Sequence, residues 1–400
     1  MEEKEFDALL DSLEEYNKNY ESITPENAQH AVEDFDERWK IIINYMADYT
    51  QDRESKYGQA LLKLSVAIHE LSNPSENQIQ RLSTLIYDFD KNKNAKCKFG
   101  YDKALFFNLG LCWYRLGKLY EIKVIEAFKK YIYYLLSISC HTIYQPTTFS
   151  FRKCTTFLYQ SLINDQLNIS SPSTFNDPFD TPIVELLRAG DDLSLLMYQA
   201  FQSSLKIACF TCNVKQPLLS STSIVNEKKH NNDKEEYLNE LMWAHYADYH
   251  RGICLKYSFD QAPSNVGKEN PNIVSFFKDV KYSDEVLSKY PSIIEMPIED
   301  AFFLKGKAWE YENELRYVCF DINGQGDYST VDIPNSIEAV YFGMKCSEAD
   351  RSTIINIMKS KKFIKKDFRG NLICEKPVEF YQMEIGEKHF GQLKAIPIIL

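Results

Sequence analysis

The chain has 400 residues, 44% hydrophobic and 26% charged, with only 14 Gly and 14 Pro, a globular composition too long for one core, so two domains are the natural division. Its net charge of −11 argues against a protein that coats nucleic acid non-specifically, although a local contact stays open. Ten scattered Cys lack the framework of a small secreted scaffold and fit a reduced, cytoplasmic setting.

The first 140 residues predict helices. Phe6, Leu9, Leu10 and Leu13 lie on one face of a segment from Glu5 to Tyr16. No apolar core follows the opening Met1-Glu2-Glu3-Lys4-Glu5, so no signal peptide is expected. Thr24-Pro25-Glu26-Asn27 is a helix start, and Phe35, Trp39, Ile42, Ile43 and Met46 continue that helix toward Tyr49. Two more follow, one over Gln59 to Leu71 and one through Ile79, Leu82, Leu85 and Ile86, separated by Asn73-Pro74. The run from Ala104 to Lys118 resembles the first helix and turn of a tetratricopeptide repeat. Leu109-Gly110 permits close helix approach and Gly117 suits the turn. A degenerate repeat and a plain bundle both remain open, and either gives a partner-binding or sensing surface. The apolar-rich stretch from Tyr131 to Ile143 is too short for a membrane span.

From residue 141 the period changes. Strands are expected at 205–211, 252–257, 280–282, 315–321, 339–342 and 378–385, and helices at 155–164, 182–187, 235–247 and 347–359. The fold class is therefore α+β: an all-helical domain over 1–140, then a mixed α+β domain over 141–400. Residues 215–234 read as a polar loop, either a lid or an idle surface connection. Cys209 and Cys212 form a CxxC with no second pair to complete a zinc site, and fit a core strand. The basic run Lys359, Lys361, Lys362, Lys365, Lys366 and Arg369 is either a solvated face or an edge for phosphates.

Three patches combine aromatic rings with ionisable groups: Ser170 to Asp180, Leu241 to Gly252, and Trp309 to Arg316. In the first, Asn176-Asp177-Pro178 suits a sharp turn anchored by Phe175 and Phe179. Alternatively, Ser170, Ser171 or Asn176 contacts a ligand's hydroxyls or phosphates. The second reads as a helix end with Gly252 as a left-handed cap. There His245 is either satisfied locally or touches ligand, and the spacing of His245, Asp248 and His250 matches no standard zinc or di-iron signature. In the third, a strand beginning near Glu312 would put Glu312, Glu314 and Arg316 on one face. They would form either an ion-paired network or an acid opposing an oxocarbenium-like centre.

Together these patches resemble the bacterial family catalogued as domain of unknown function 2971. The likeness rests on Ser170 to Asp180, Cys209-Phe210-Thr211, Met242 to Gly252 and Trp309 to Arg316, in order over about residues 141–345. The segment Ile143 to Phe149 lacks the basic residues of that family's opening strand. The family name implies no activity. The order of the patches also resembles ADP-ribosyltransferase folds. That resemblance implies NAD as substrate, Glu312 and Glu314 as catalytic residues, and Tyr144, Ser170, Ser171, Asn176, His245 and Arg316 as NAD contacts, with no metal. The implied protein is a cytoplasmic bacterial effector in phage defence or a toxin system. It would act on a macromolecular target, with residues 1–140 free to bind a protein partner and no membrane association. A metal-dependent nuclease using His245, Asp248, His250 and the basic run, and a non-enzymatic ligand-binding protein, are the alternatives.

Overall fold

A computed structural model describes residues 3–42, 51–92, 101–139, 147–175, 177, 180, 191–212, 236–259, 272–284, 302–366, 370–387 and 392–400. Tyr144, Asn176, the expected helix at 182–187, the loop at 215–234 and Arg369 lie outside those residues. The chain divides into two compact units, residues 1–139 with 187–201, and residues 140–186 with 202–400.

The first unit contains α1 (Glu3–Asn19), α2 (Ala28–Ile42), α3 (Gln51–Glu70), α4 (Glu76–Asn92), α5 (Tyr101–Arg115) and α6 (Glu121–Ser139). The helix expected at Thr24-Pro25 starts later. The Thr24 amide bonds the Asn27 side chain at 2.8 Å and closes a turn first, and α2 follows it. Helix α3 is central and packs on α1, α2, α4 and α5, burying Leu61, Leu64 and Ile68. Gly110 of α5 admits α6 closely, since a Cβ there would lie 2.6 Å from the Phe128 ring. Gly117 turns the chain between them with φ 91°. Among the described residues, no helix is long and apolar enough to cross a membrane.

The second unit is a mixed α+β fold. Its elements are β1 (Thr147–Arg152), α7 (Thr156–Asn164) and β2 (Gln166–Ser170). Helix α8 (Asp192–Ser204), whose residues 192–201 fall in the first unit, then leads into β3 (Leu205–Thr211), followed by α9 (Glu240–Tyr246), β4 (Ile253–Ser258), β5 (Ile273–Asp279) and β6 (Lys281–Tyr282). Next come β7 (Leu304–Lys305), β8 (Glu314–Asp321), β9 (Tyr328–Asp332) and β10 (Ile337–Phe342). Helix α10 (Glu348–Met358), β11 (Lys362–Lys366), β12 (Leu372–Pro377), β13 (Glu379–Ile385) and β14 (Leu393–Pro397) complete it.

The main sheet runs β14-β13-β10-β4-β1-β3-β2-β9, and β8 joins it alongside β3 with β5 beyond. All its pairings are antiparallel except β10 with β13. Side-chain alternation sorts the two faces. Leu255, Tyr317 and Val340 join Leu158 and Leu162 of α7 and Ile354 of α10 on one side. Phe149, Phe151 and Cys254 join Trp243 and Ala247 on the other, beneath α9.

One irregularity positions the site. Strand β8 pairs with β3 along its whole length, from Leu205↔Phe320 to Thr211↔Glu314. The other edge of β3 is shared by two strands. Strand β1 meets it only at Phe149↔Thr211, and β2 only at Ser170↔Ile207. Both overlie the same stretch, so they must splay apart, and the sheet forks there.

Candidate functional site at the fork of the sheet

The fork opens a cavity of about 440 Å³ between β1, β2 and β3. Phe149, Phe151, Phe175, Phe210, Tyr246 and Trp309 make it largely aromatic, while Ser170, Asp180, Lys305, Glu312 and Glu314 supply polar groups. Aromatic walls with a few convergent polar atoms are typical of small-molecule sites. A second cavity of about 310 Å³ shares Phe151, Arg152, Asn168 and Tyr246 with the first.

The acidic corner comes from a local reversal. Strand β8 begins at Glu314, two residues later than the expected start, because Lys307–Glu312 is a 3₁₀ helix. Asn313 ends that helix in the left-handed conformation, φ 44°, one that Asn tolerates better than most residues. Glu314 and Arg316 share a face of β8 through strand alternation. Glu312 reaches the same cavity from the preceding turn instead.

These side chains form a buried ionic network. Lys305 Nζ lies 2.7 Å from Glu312 Oε2, 3.1 Å from Glu314 Oε2 and 3.3 Å from Asp180 Oδ2. Arg316 Nε donates to Glu314 Oε1 at 2.8 Å, and its Nη1 to the Phe302 carbonyl at 2.7 Å. Its Nη2 donates to Asp180, and the guanidinium lies 5.7 Å from the Phe175 ring centroid. Three carboxylates face two cations, leaving one formal negative charge. The Lys305 ammonium thus takes the place a bound cation would need among three carboxylates. Among the described residues, no cluster of His, Cys, Asp and Glu is arranged to hold a metal.

The two glutamates titrate in opposite directions. Burial raises Glu312 above the ordinary carboxylate value, with the Lys305 charge opposing it. Burial also penalises ionised Glu314, but Arg316 and Lys305 outweigh it and hold Glu314 down to about 2. Cys209 is exposed and lines the cavity, and the surrounding protein and then the Glu314 charge push its thiol up.

The segment from Leu241 to Gly252 divides its work. Asn239 caps α9 by accepting from the Leu241 and Met242 amides. Trp243 is fully buried, set edge-on to Phe151, with Nε1 donating to the Tyr237 carbonyl at 2.7 Å. Tyr246 points its hydroxyl at Glu312 Oε1. His245 Nδ1 pairs with the Tyr311 hydroxyl at 2.8 Å. The left-handed cap expected at Gly252 falls elsewhere, on Asp248, Tyr249 and His250, with φ 48°, 53° and 67°. Gly252 is needed for closeness, because a Cβ there would lie 2.1 Å from the Arg152 carbonyl oxygen.

Of the expected site residues, Ser170, Glu312 and Glu314 line the cavity. Arg316 is completely buried behind Glu314, and His245 does not line the cavity but pairs with Tyr311 and lies edge-on to Trp309, which does. Ser171 is buried, its hydroxyl accepting from Ser173 Oγ at 3.0 Å and its amide bonding the Asp327 carbonyl. Tyr144 and Asn176 fall outside the described residues. For the nuclease reading, His250 stacks on Trp243, while Lys361 and Lys362 of the basic run pair with Asp165 and Glu375. Sequence reasoning missed Asp180, Lys305 and Tyr246 as site residues. Lys305 had a signal: it ends the apolar run Phe302-Phe303-Leu304, where a charge needs a buried partner. Arg152 was missed too. It is half-buried and lines both cavities, and among the described residues no carboxylate or hydrogen-bond acceptor engages its guanidinium.

The network, Tyr246 and the 3₁₀ turn all lie in one continuous stretch, apart from Asp180. Residues 242–317 match the family model described as Protein of unknown function (DUF2971). The matched stretch is shorter than the 141–345 expected from the motifs, and Ser170 and Asp180 precede it. It carries Lys305, Glu312, Glu314 and Arg316, so the ionic corner of the cavity belongs almost wholly to it. No curated protein and no solved structure matches the chain.

Proposed function

We propose that the chain cleaves the nicotinamide–ribose bond of NAD and transfers ADP-ribose to a macromolecular acceptor, on an ADP-ribosyltransferase-like fold. The observation that carries this reading is that Glu312 and Ser170 open on one aromatic cavity, with Glu312 fixed by Tyr246 and Lys305. In the reaction the C1′–N bond breaks, its electron pair leaves with nicotinamide, and positive charge develops on the ribose. A held carboxylate facing that charge stabilises it, because it needs no reorganisation as the charge appears. Each oxygen of Glu312 has capacity for a further donor, such as a ribose hydroxyl. Ser170 supports the same ribose, and aromatic rings accommodate the nicotinamide. Arg152, between the two cavities, is placed for the diphosphate. The acceptor's nucleophile then bonds C1′ and loses its proton. Glu314, kept ionised, holds Lys305 and Arg316 in place and acts as helper. The helical unit, with Leu119 and Ile122 exposed at the connection into α6, serves partner or trigger recognition in a bacterial cytoplasmic effector of a defence or toxin system.

The test is nicotinamide release by the purified protein, alone and with cell lysate as acceptor source. Release that disappears in Glu312→Gln supports the reading. Intact NAD and no modified macromolecule in lysate would sink it, and a wild-type biological effect after replacing both Glu312 and Glu314 would point to a binding protein.

A further inference from the structure

The smaller cavity, of about 310 Å³, has a donor set of its own. Strand register aims Arg152 toward it. Across the β1–β4 ladder Ser150 lies opposite Leu255 and Arg152 opposite Ile253, and directly opposed residues project to one side. Ile253 and Leu255 face α7, so Arg152 does too, whereas Phe149 and Phe151 face α9. Lys153 and Thr155 line the same cavity. Arg152 is half-buried and Lys153 exposed, and among the described residues no acceptor engages either cation. Thr155 Oγ1 accepts from the Leu158 amide at 3.3 Å, which leaves its proton to give. Two cations and a hydroxyl donor on one short segment suit a phosphate.

The β2 side of the cavity has the opposite polarity. Ser161 Oγ gives its proton to the Phe157 carbonyl at 2.9 Å, so Asn168 Nδ2 is the donor in its 2.7 Å bond to Ser161 Oγ. Gln166 Nε2 is likewise committed to Asp332 Oδ1 at 3.1 Å. Each amide therefore has its carbonyl oxygen left to offer, an acceptor for an N–H donor. Most other lining residues are apolar, and the ring of Phe157 stands 75% exposed.

We propose that the smaller cavity binds a nucleoside 5′-phosphate whose base carries an exocyclic amine, either free or as part of a larger molecule. The phosphate takes the donors of Arg152, Lys153 and Thr155. The amine donates to the carbonyl oxygen of Asn168 or Gln166, and the base stacks on Phe157. A volume of about 310 Å³ is at the low end for a small-molecule site, which fits one nucleotide unit. The inference rests on this cavity and not on NAD cleavage: it needs no reaction at Glu312.

The experiment is calorimetric titration of the full-length protein with adenosine 5′-monophosphate, adenosine, inosine 5′-monophosphate and inorganic phosphate. Adenosine monophosphate should bind at one site, with the other three about 10-fold weaker or more, since each lacks one of the recognised groups. Arg152→Ala should weaken adenosine monophosphate about 10-fold and leave adenosine unchanged. Lys153 and Phe157 line the smaller cavity and not the one at the fork, so they locate the site. Lys153→Ala should weaken the monophosphate alone, and Phe157→Ala should weaken monophosphate and nucleoside alike, by about 5-fold or more. Both are exposed, so the variants should fold as the wild type does. Tighter binding of NAD than of the monophosphate, with the same response to Lys153→Ala and Phe157→Ala, would identify a dinucleotide as the larger molecule. Equal affinity for inorganic phosphate and adenosine monophosphate, binding indifferent to Lys153→Ala and Phe157→Ala, or no saturable binding at millimolar nucleotide would overturn the proposal. Nucleotide binding without nicotinamide release would keep this site and sink the NAD-cleaving reading, and nicotinamide release without nucleotide binding would do the reverse.

Discussion

Replacing Arg316 with Met strikes the buried network at its centre. Arg316 is fully buried and serves Glu314, Asp180 and the Phe302 carbonyl. Met keeps much of the apolar stem but removes the fork of donors, leaving Asp180 and Glu314 to share Lys305. Removing one partner of a buried pair typically costs about 3–5 kcal/mol, because the other charge stays desolvated. The titration of Glu314 gives the same scale. Its folded value of about 2 lies well under the ordinary 4.5. At about 1.4 kcal/mol per pH unit that is about 3 kcal/mol of stability at neutral pH. Because the folded value is depressed, this contribution is present above the unfolded value of 4.5 and is lost as pH falls toward about 2. Hydrogen exchange of the β3 and β8 amides isolates the opening of this unit from that of the helical one. Arg316→Met should lower their protection by about 3–5 kcal/mol at neutral pH and flatten the acid-dependent loss seen in the wild type. A change below about 1 kcal/mol, the range of exposed pairs, with the acid dependence intact, would refute a coupled buried network.

Glu312→Gln should reduce nicotinamide release by about 100- to 1,000-fold while leaving the α+β unit folded, as checked by the same exchange measurement. Since burial raises Glu312, activity that needs its ionised form should rise with pH through a midpoint above the ordinary 4.5, and a midpoint below that value would contradict the assignment. Arg152→Ala should weaken NAD binding by about 10-fold or more, the scale of a charged hydrogen bond, while nicotinamide riboside, lacking phosphate, binds unchanged in calorimetry. Gly252→Ala places a methyl 2.1 Å from the Arg152 carbonyl oxygen. It should cost about 1–3 kcal/mol in thermal or urea unfolding, as overpacking does.

The sequence alone determined the change from helical to strand-like period near residue 140, the apolar faces around Leu64 and Leu109, and the patches that converge on one cavity. Those signals are local: periodicity and motif residues are read within a few turns or one strand. Its errors were local as well. A strand starting at Glu312 ignored that Asn313 could take the left-handed conformation and end a 3₁₀ turn. Gly252 read as a cap because a sequence shows a glycine but not the Arg152 carbonyl pressed against it. Only the tertiary structure decided that β1 and β2 compete for one edge of β3 and so open the fork. It alone placed Asp180, 136 residues from Arg316 along the chain, in the same ion network, because pairing between distant charges leaves no periodic trace in either segment. Arg152 likewise looks like an ordinary strand-end cation until the fold sets it between two cavities with no acceptor at hand among the described residues.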